Sequence, residues 1–288
     1  MKIIDAHMHF SKTKTLVSCA LYDSMVDYSV EGYLRESDAC GIVASVCMGM
    51  AEVIPGASPD RISKTPLLAD LQEPESTIPS KIFLCAGINP HQLDESCMAA
   101  LEEEVRLKRI IGLKIYAGYY HFDVNDPIYI PALKFAEKHG LPVAIHSGDT
   151  YSEEALLEYS QPLSIDRLAV TWRNIQFIIC HIGAPWIYDA CEVAAKNRNV
   201  CLDISGLLLG NADHVLRAAH SKLWIERYQQ ALIMLDEYPK VLFGTDWPLV
   251  PMAEYVDFCK RFIPDEHLED VFLNNAARVY GIDIRALA

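Results

Sequence analysis

The 288-residue chain has no Cys-x-x-Cys pair, no apolar run near the roughly 20 residues of a membrane span, and no excess of basic charge. Each lack excludes a class of protein. The nine cysteines are scattered singly, several inside apolar runs: Cys47 in IVASVCMGM, Cys85 in IFLCAGI and Cys180 in FIICHIG. An odd, unpatterned count reads as reduced thiols, not as a disulfide framework. A net charge of −14 argues against the clustered lysine and arginine that a nucleic-acid backbone or an anionic membrane surface demands. It leaves small substrates open, because one site can be locally positive on an acidic protein. Met1 and Lys2 lead straight into IIDAH, without the apolar stretch of a signal peptide. Neither G-x-G-x-x-G nor G-x-x-x-x-G-K-[ST] follows the first apolar run, which argues against a doubly wound nucleotide-binding enzyme. No internal repeat and no interdomain linker stands out. The expectation is a soluble cytoplasmic protein acting on a small molecule.

What is present is a large apolar fraction, 51% of residues against 22% charged, enough for a sizeable core. Short apolar runs recur at 2–8, 42–48, 82–88, 110–116, 141–147, 175–181, 200–205 and 241–246. Near-continuous apolarity in short runs is how parallel strands buried on both faces read. The intervals are long enough for helices. Helical spacing predicts helices over 98–109, 128–139, 211–237 and 265–280, with Gly140 and Gly281 as stop signals and Asp265 as an N-cap. Eight strands alternating with helices in a chain of this length predict an α/β fold, a single (β/α)8 TIM barrel over 1–288. Residues 53–80, rich in proline and polar residues, read equally as a surface loop or as a lid over the barrel mouth.

Polar residues collect at the C-terminal ends of the runs: His7 and His9, Lys114, His146, His181, Asp203 and Asp246. In a parallel barrel those ends open onto one face, where catalytic groups gather. Any one of them alone reads as a satisfied core residue or a cap. Their recurrence at matching strand ends points to chemistry. His7-x-His9 adds to this, since strand residues i and i+2 face the same way and can reach one ion. Imidazoles with a carboxylate suit zinc and similar metals. Asp5 reads either as a hydrogen-bond partner for a ligand histidine or as a strand-end polar residue. Trp186 and Trp247 read as pocket lining or core. His91, His121, Tyr119 and Tyr120 read as exposed loop residues, and His139, His214, His220 and His267 as solvated positions on helices.

DAHMH, AIHSG, CHIG and FGTDWP, in that order, with NNAARVYGI near the end, resemble the amidohydrolase superfamily. The likeness is to its amidohydrolase-related branch, which includes nonoxidative decarboxylases and lactone hydrolases. It spans nearly the whole chain. The resemblance implies a metal-dependent hydrolase barrel with His7, His9, His146 and Asp246 as metal ligands. His181 would be a ligand to a second ion or an acid/base. Zinc is the expected metal, and manganese or iron would fit the same ligands. Lys114 falls where two-metal members carry a carboxylated bridging lysine; the alternative is an unmodified lysine binding a substrate carboxylate. The implied reaction is attack of a metal-activated water on a small amide, lactone or ester, with Asp246 moving the proton. The alternative is nonoxidative decarboxylation, or hydration, of a small unsaturated or aromatic acid in the same site. A noncatalytic barrel would be expected to lose a ligand position, and all five are filled. Homodimers are common for such barrels, but no sequence feature shows one.

Overall fold

Runs rich in Val, Ile and Leu form eight short strands: β1 (Ile3–Met8), β2 (Ile42–Met48), β3 (Ile82–Ile88), β4 (Ile110–Ile115), β5 (Val143–Ile145), β6 (Phe177–Ile179), β7 (Val200–Asp203) and β8 (Val241–Leu242). The coordinates are a computed structural model that describes residues 1–10, 14–50 and 79–287. The strands lie in sequence order in one sheet, each paired in parallel with the next. The seam between β8 and β1 is joined by backbone hydrogen bonds. Ala6 donates to the Phe243 carbonyl at 2.9 Å, His9 to Trp247 at 2.7 Å, and Asp246 to His7 at 2.7 Å. The sheet therefore closes into a barrel, and the intervening helices cover it.

Period-two alternation sorts the strand residues into two layers. Leu113, Ile115, Val143, Ile145, Phe177 and Ile179 pack outward under the helices. Ala144, Ile178, Cys180, Cys201 and Leu242 belong to a second cluster inside the barrel. Leu273, Ala276, Ala277 and Tyr280 from the C-terminal helical segment complete that inner cluster. Asn275 ties this segment to the start of β8, donating to the carbonyls of Tyr238 and Val241. One end of the barrel is thus plugged with apolar side chains, and polar chemistry is confined to the other.

The helices follow the predicted pattern with shifted ends. They run Glu95–Arg106 and Ile130–His139, the latter stopped by Gly140 at φ +64°. The stretch predicted as one helix over 211–237 is two, Ala212–Ala219 and Lys222–Leu235, broken at His220-Ser221. The predicted helix over 265–280 is a 3-10 turn at 265–267, a π turn at 270–274 and an α-helix only over 275–280, with Gly281 at φ +67°. Asp265 lies inside the 3-10 turn and caps nothing. Strands β5, β6 and β8 stop two to four residues before their apolar runs end, because the chain leaves the sheet in tight turns. The loop or lid predicted over 53–80 lies, up to residue 78, outside the described residues. Among the described residues no helix is long and apolar enough to cross a membrane.

Candidate active site

β1 delivers His7 and His9 at its C-terminal end, where its register against β2 shifts between Asp5 and Met8. Both are buried, and their ring centroids lie 5.5 Å apart. Asp246 arrives from beyond β8 on a residue at φ +59°. Its Oδ1 lies 3.1 Å from His9 Nε2 and 3.5 Å from His7 Nε2. His181 sits past β6, also left-handed at φ +59°, with Nδ1 3.7 Å from Asp246 Oδ2. His146 follows β5; its ring centroid is 4.9 Å from that of His181.

Neighbouring groups fix the tautomers. His9 Nδ1 faces the Met48 carbonyl at 3.0 Å, and a carbonyl only accepts, so the proton is on Nδ1 and Nε2 carries the lone pair. His7 Nδ1 donates to Asp203 Oδ2 at 2.9 Å, which again leaves Nε2 as lone pair. Two imidazole lone pairs and a carboxylate oxygen therefore converge, and no hydrogen lies between them. His7 Nε2 and Asp246 Oδ1 are buried without a hydrogen-bond partner. Such a constellation is repulsive unless a cation occupies it. The donor atoms of His7, His9 and Asp246 lie within 4.8 Å of one another, as do those of His7, Cys180 and His181. The residues thus fit a divalent ion. His146 is set differently: its Nε2 faces the Asp149 carbonyl at 2.9 Å, leaving Nδ1 as its lone-pair atom.

Electrostatics keep these groups in ligating form. Burial, aided by the Lys114 charge, lowers His7 to about 4. Burial likewise pushes His146 well below the usual imidazole range and lowers His181. Burial would raise Asp246, but a proton entering the cluster goes to His7, His181 or His9 before the carboxyl, which therefore stays ionised well below its ordinary range. Asp203 is held down in the same way, against burial, chiefly by His7. Its Oδ1 accepts from the His181 backbone N–H at 2.9 Å and from Ser205 Oγ at 2.5 Å. Ser205 in turn presents its carbonyl to His181 Nδ1 at 3.1 Å. His181 thus has its Nδ1–H committed to Ser205, and burial favours its neutral form, in which Nε2 accepts.

Lys114 points into the same region from β4, fully buried, and donates to Cys180 Sγ at 2.9 Å. Burial pushes the Cys180 thiol far up, although Lys114 opposes it, so the sulfur stays protonated. The site opens into a cavity of about 530 Å³ whose walls include Leu207, Leu208, Trp186, Trp224, Tyr119 and Arg227.

An amidohydrolase family model matches residues 4–282. The chain belongs to the amidohydrolase family. Among solved structures it is similar to an uncharacterized TIM-barrel protein from Bordetella bronchiseptica, at 22% identity and TM-score 0.70 over 98% of this chain and 99% of that one. It is similar to a probable 2-pyrone-4,6-dicarboxylic acid hydrolase from Acinetobacter baumannii, at 16% identity and TM-score 0.65 over 98% and 100%. It is also similar to a 5-carboxyvanillate decarboxylase from Sphingomonas paucimobilis, at 16% identity and TM-score 0.66 over 98% and 99%. At these identities the likeness is one of fold. No curated protein matches the chain in sequence.

Of the residues singled out in the sequence, the structure brings His7, His9, His181 and Asp246 into direct apposition and sets His146 and Lys114 around them. Four stand beyond the strands, not on them: His9 after β1, His146 after β5, His181 after β6 and Asp246 after β8. Asp5 touches His7 only through the backbone, accepting its N–H at 3.2 Å, and is tied to Thr245 Oγ1 at 2.6 Å. Burial raises its carboxyl to about 7. Trp247 is fully buried against Phe10, Tyr28 and Tyr33, whereas Trp186 lines the cavity. Tyr119 and Tyr120 are not the exposed loop residues expected: Tyr119 lines the cavity 4.9 Å from the His146 ring, and Tyr120 is buried. Sequence reasoning noted Asp203 at a strand end without giving it a role, and missed Ser205 and Gly206. A Cβ on Gly206 would stand 2.5 Å from Asp246 Oδ2 and 2.6 Å from His181 Nδ1.

Proposed function

We propose that this amidohydrolase is a metal-dependent hydrolase that opens a small amide, lactone or ester. What supports the reading is the convergence of the His7 and His9 lone pairs with the ionised Asp246 carboxylate, beside a neutral His181. His7, His9 and Asp246 would hold the ion, with His146 and His181 flanking it. Zinc suits this mixture of imidazole and carboxylate, as manganese or iron would. A divalent ion there supplies Lewis-acid polarisation of a carbonyl and acidifies a water. Asp246, whose Oδ2 is free of the two β1 histidines, would carry a proton from the attacking water to the leaving atom. His181 Nε2, an acceptor in the neutral ring, holds a water or substrate N–H. Lys114, committed to Cys180, acts unmodified as a fixed positive charge at the cavity floor, and one ion per chain is expected.

The test is metal content by plasma emission for the wild type, His7→Ala and Asp246→Ala, together with a screen of lactones, amides and esters. Similarity to a decarboxylase brings aromatic carboxylic acids into the same screen. About one ion per chain, absent from both variants, with turnover of an ester or amide, supports the reading. Release of carbon dioxide from an acid, with no hydrolysis, replaces it by decarboxylation. About two ions per chain makes Lys114 a carboxylated bridge. No metal after reconstitution with zinc or manganese removes it altogether.

A further inference from the structure

The helix Lys222–Leu235 turns one face to the cavity. Trp224, Arg227 and Tyr228, spaced i, i+3 and i+4, all line it. The Trp224 and Tyr228 rings stack at 6.2 Å and 28°. The Arg227 guanidinium lies 5.8 Å from the centre of the Tyr228 ring, a cation–π contact that holds its plane. The metal-site histidines are buried and Arg227 is half-buried, so Arg227 stands toward the solvent side of the same cavity.

Among the described residues the charge on Arg227 is unanswered. The chain carries 39 acidic residues against 25 basic ones, yet among the described residues no carboxylate pairs with Arg227. Its neighbour Glu226 faces Lys222 at 3.4 Å. The other cation among the described residues lining the cavity, Lys114, donates to Cys180. Among the described residues lining the cavity, the carboxylate besides Asp246 is Asp149, which is exposed and accepts from the Thr150 N–H. Much of the remaining wall is leucine and aromatic: Leu207, Leu208, Leu209, Trp186 and Trp224. A planar, forked cation over an aromatic ring in an apolar cavity is suited to a carboxylate taken up with its apolar body.

We propose that Arg227 is a specificity-determining residue: the substrate is an organic carboxylate with an apolar, ring-sized body, its carboxylate on Arg227 and its reacting group at the histidine cluster. This rests on the metal-dependent reading given above. The body would lie along Trp224, Trp186 and the Leu207–Leu209 segment. The substrate's free acid group is then a recognition handle and not the reacting centre.

The test uses 3-phenylpropionate and 3-phenylpropionamide as probes, titrated calorimetrically into zinc-supplemented wild type, Arg227→Gln and Arg227→Lys, with metal content measured on each. A charge-assisted hydrogen bond predicts that the acid binds the wild type at least about tenfold more tightly than the amide. In Arg227→Gln that preference falls to near parity while amide affinity stays within about twofold; Arg227→Lys keeps part of it. An acid preference that survives in Arg227→Gln places the carboxylate on the ion and overturns the proposal, as does the lack of any acid preference in the wild type. Metal content reports separately: a metal-free protein that still shows the Arg227-dependent preference refutes the hydrolase reading and leaves this one.

Discussion

Asp203→Asn tests whether the second layer of the site sets the first. The change keeps the shape of the side chain and removes its charge. Asp203 is buried and ionised, and its Oδ2 accepts from His7 Nδ1 at 2.9 Å. Its Oδ1 holds the His181 and Ser205 backbone N–H groups at 2.9 and 3.1 Å and the Ser205 hydroxyl at 2.5 Å. Three donors on Oδ1 force an asparagine to place its carbonyl oxygen there and its NH2 against His7. Two donors would then face each other, and the ring relieves this by moving its proton to Nε2. That puts a hydrogen where the lone pair must point for a metal. Losing a hydrogen bond to a charged group costs about 1.5–3 kcal/mol, and loss of such a partner behind a ligand histidine typically costs 10- to 100-fold in metal affinity. The two ranges agree. The assay is zinc affinity by competition with a fluorescent chelator, with circular dichroism as a check on folding. A folded Asp203→Asn protein that binds zinc within about twofold of wild type refutes the argument.

Four further outcomes follow from the same geometry. His7 has its pKa lowered from 6.5 to about 4, so it stays neutral as pH falls through 6 and protonates only near 4. In metal-free protein its Cε1–H resonance is expected not to titrate between pH 8 and 5.5, and a midpoint near 6.5 contradicts this. Gly206→Ala combines φ +60° with a Cβ 2.5 Å from Asp246 Oδ2. It should lower zinc affinity more than about tenfold in a folded protein, and unchanged binding refutes the close approach. Phe258 is fully buried in the Met252–Lys260 helix, so Phe258→Ala should lose about 3–5 kcal/mol in urea unfolding, with a loss under about 1 kcal/mol contradicting its place in the core. Zinc at a hundred times its dissociation constant should add about 2.7 kcal/mol to unfolding, and no shift in the transition means that the native state does not bind it.

The barrel was legible because both layers leave a trace in composition: strands buried on two faces read as short apolar runs, and all eight were found. Their ends were not legible. Residues 175–181 stay apolar up to His181, yet β6 stops at Ile179, and no proline or glycine between the strand and the histidine marks the turn. The break at His220-Ser221 is hidden for the same reason, because neither residue is a strong helix breaker. His-x-His with the later histidines and Asp246 was readable as a group, through recurrence at strand ends. Asp203 was visible only as one more polar strand end, because its partner His7 lies 196 residues away in sequence. Trp224, Arg227 and Tyr228 looked like an ordinary stretch of amphipathic helix; which face meets the cavity is set by the barrel and not by local pattern.

Two of the left-handed residues lie in the cluster and connect these observations. His181 and Asp246 both hold φ near +59°, which costs an ordinary residue about 1–2 kcal/mol. Each is held there by a bond that also serves the cluster. The His181 N–H is fixed by Asp203, the same carboxylate that sets the His7 tautomer, and the Asp246 N–H is fixed by the His7 carbonyl at 2.7 Å. His7 is thus bonded through its ring to Asp203 and through its backbone to Asp246, and the strained turns cannot relax without moving it. Strain, buried lone pairs and a buried carboxylate are each unfavourable in a metal-free barrel. The lone pairs and the Asp246 carboxylate occur together at one end of the strands, while the opposite end is plugged with Leu273, Ala276, Ala277 and Tyr280; left-handed residues occur at both ends, Lys108 before β4 and Asp236 before β8 among them. A divalent ion bound there would relieve the lone-pair and charge terms at once, so the residues that make the bare site unfavourable are the ones that would hold the ion.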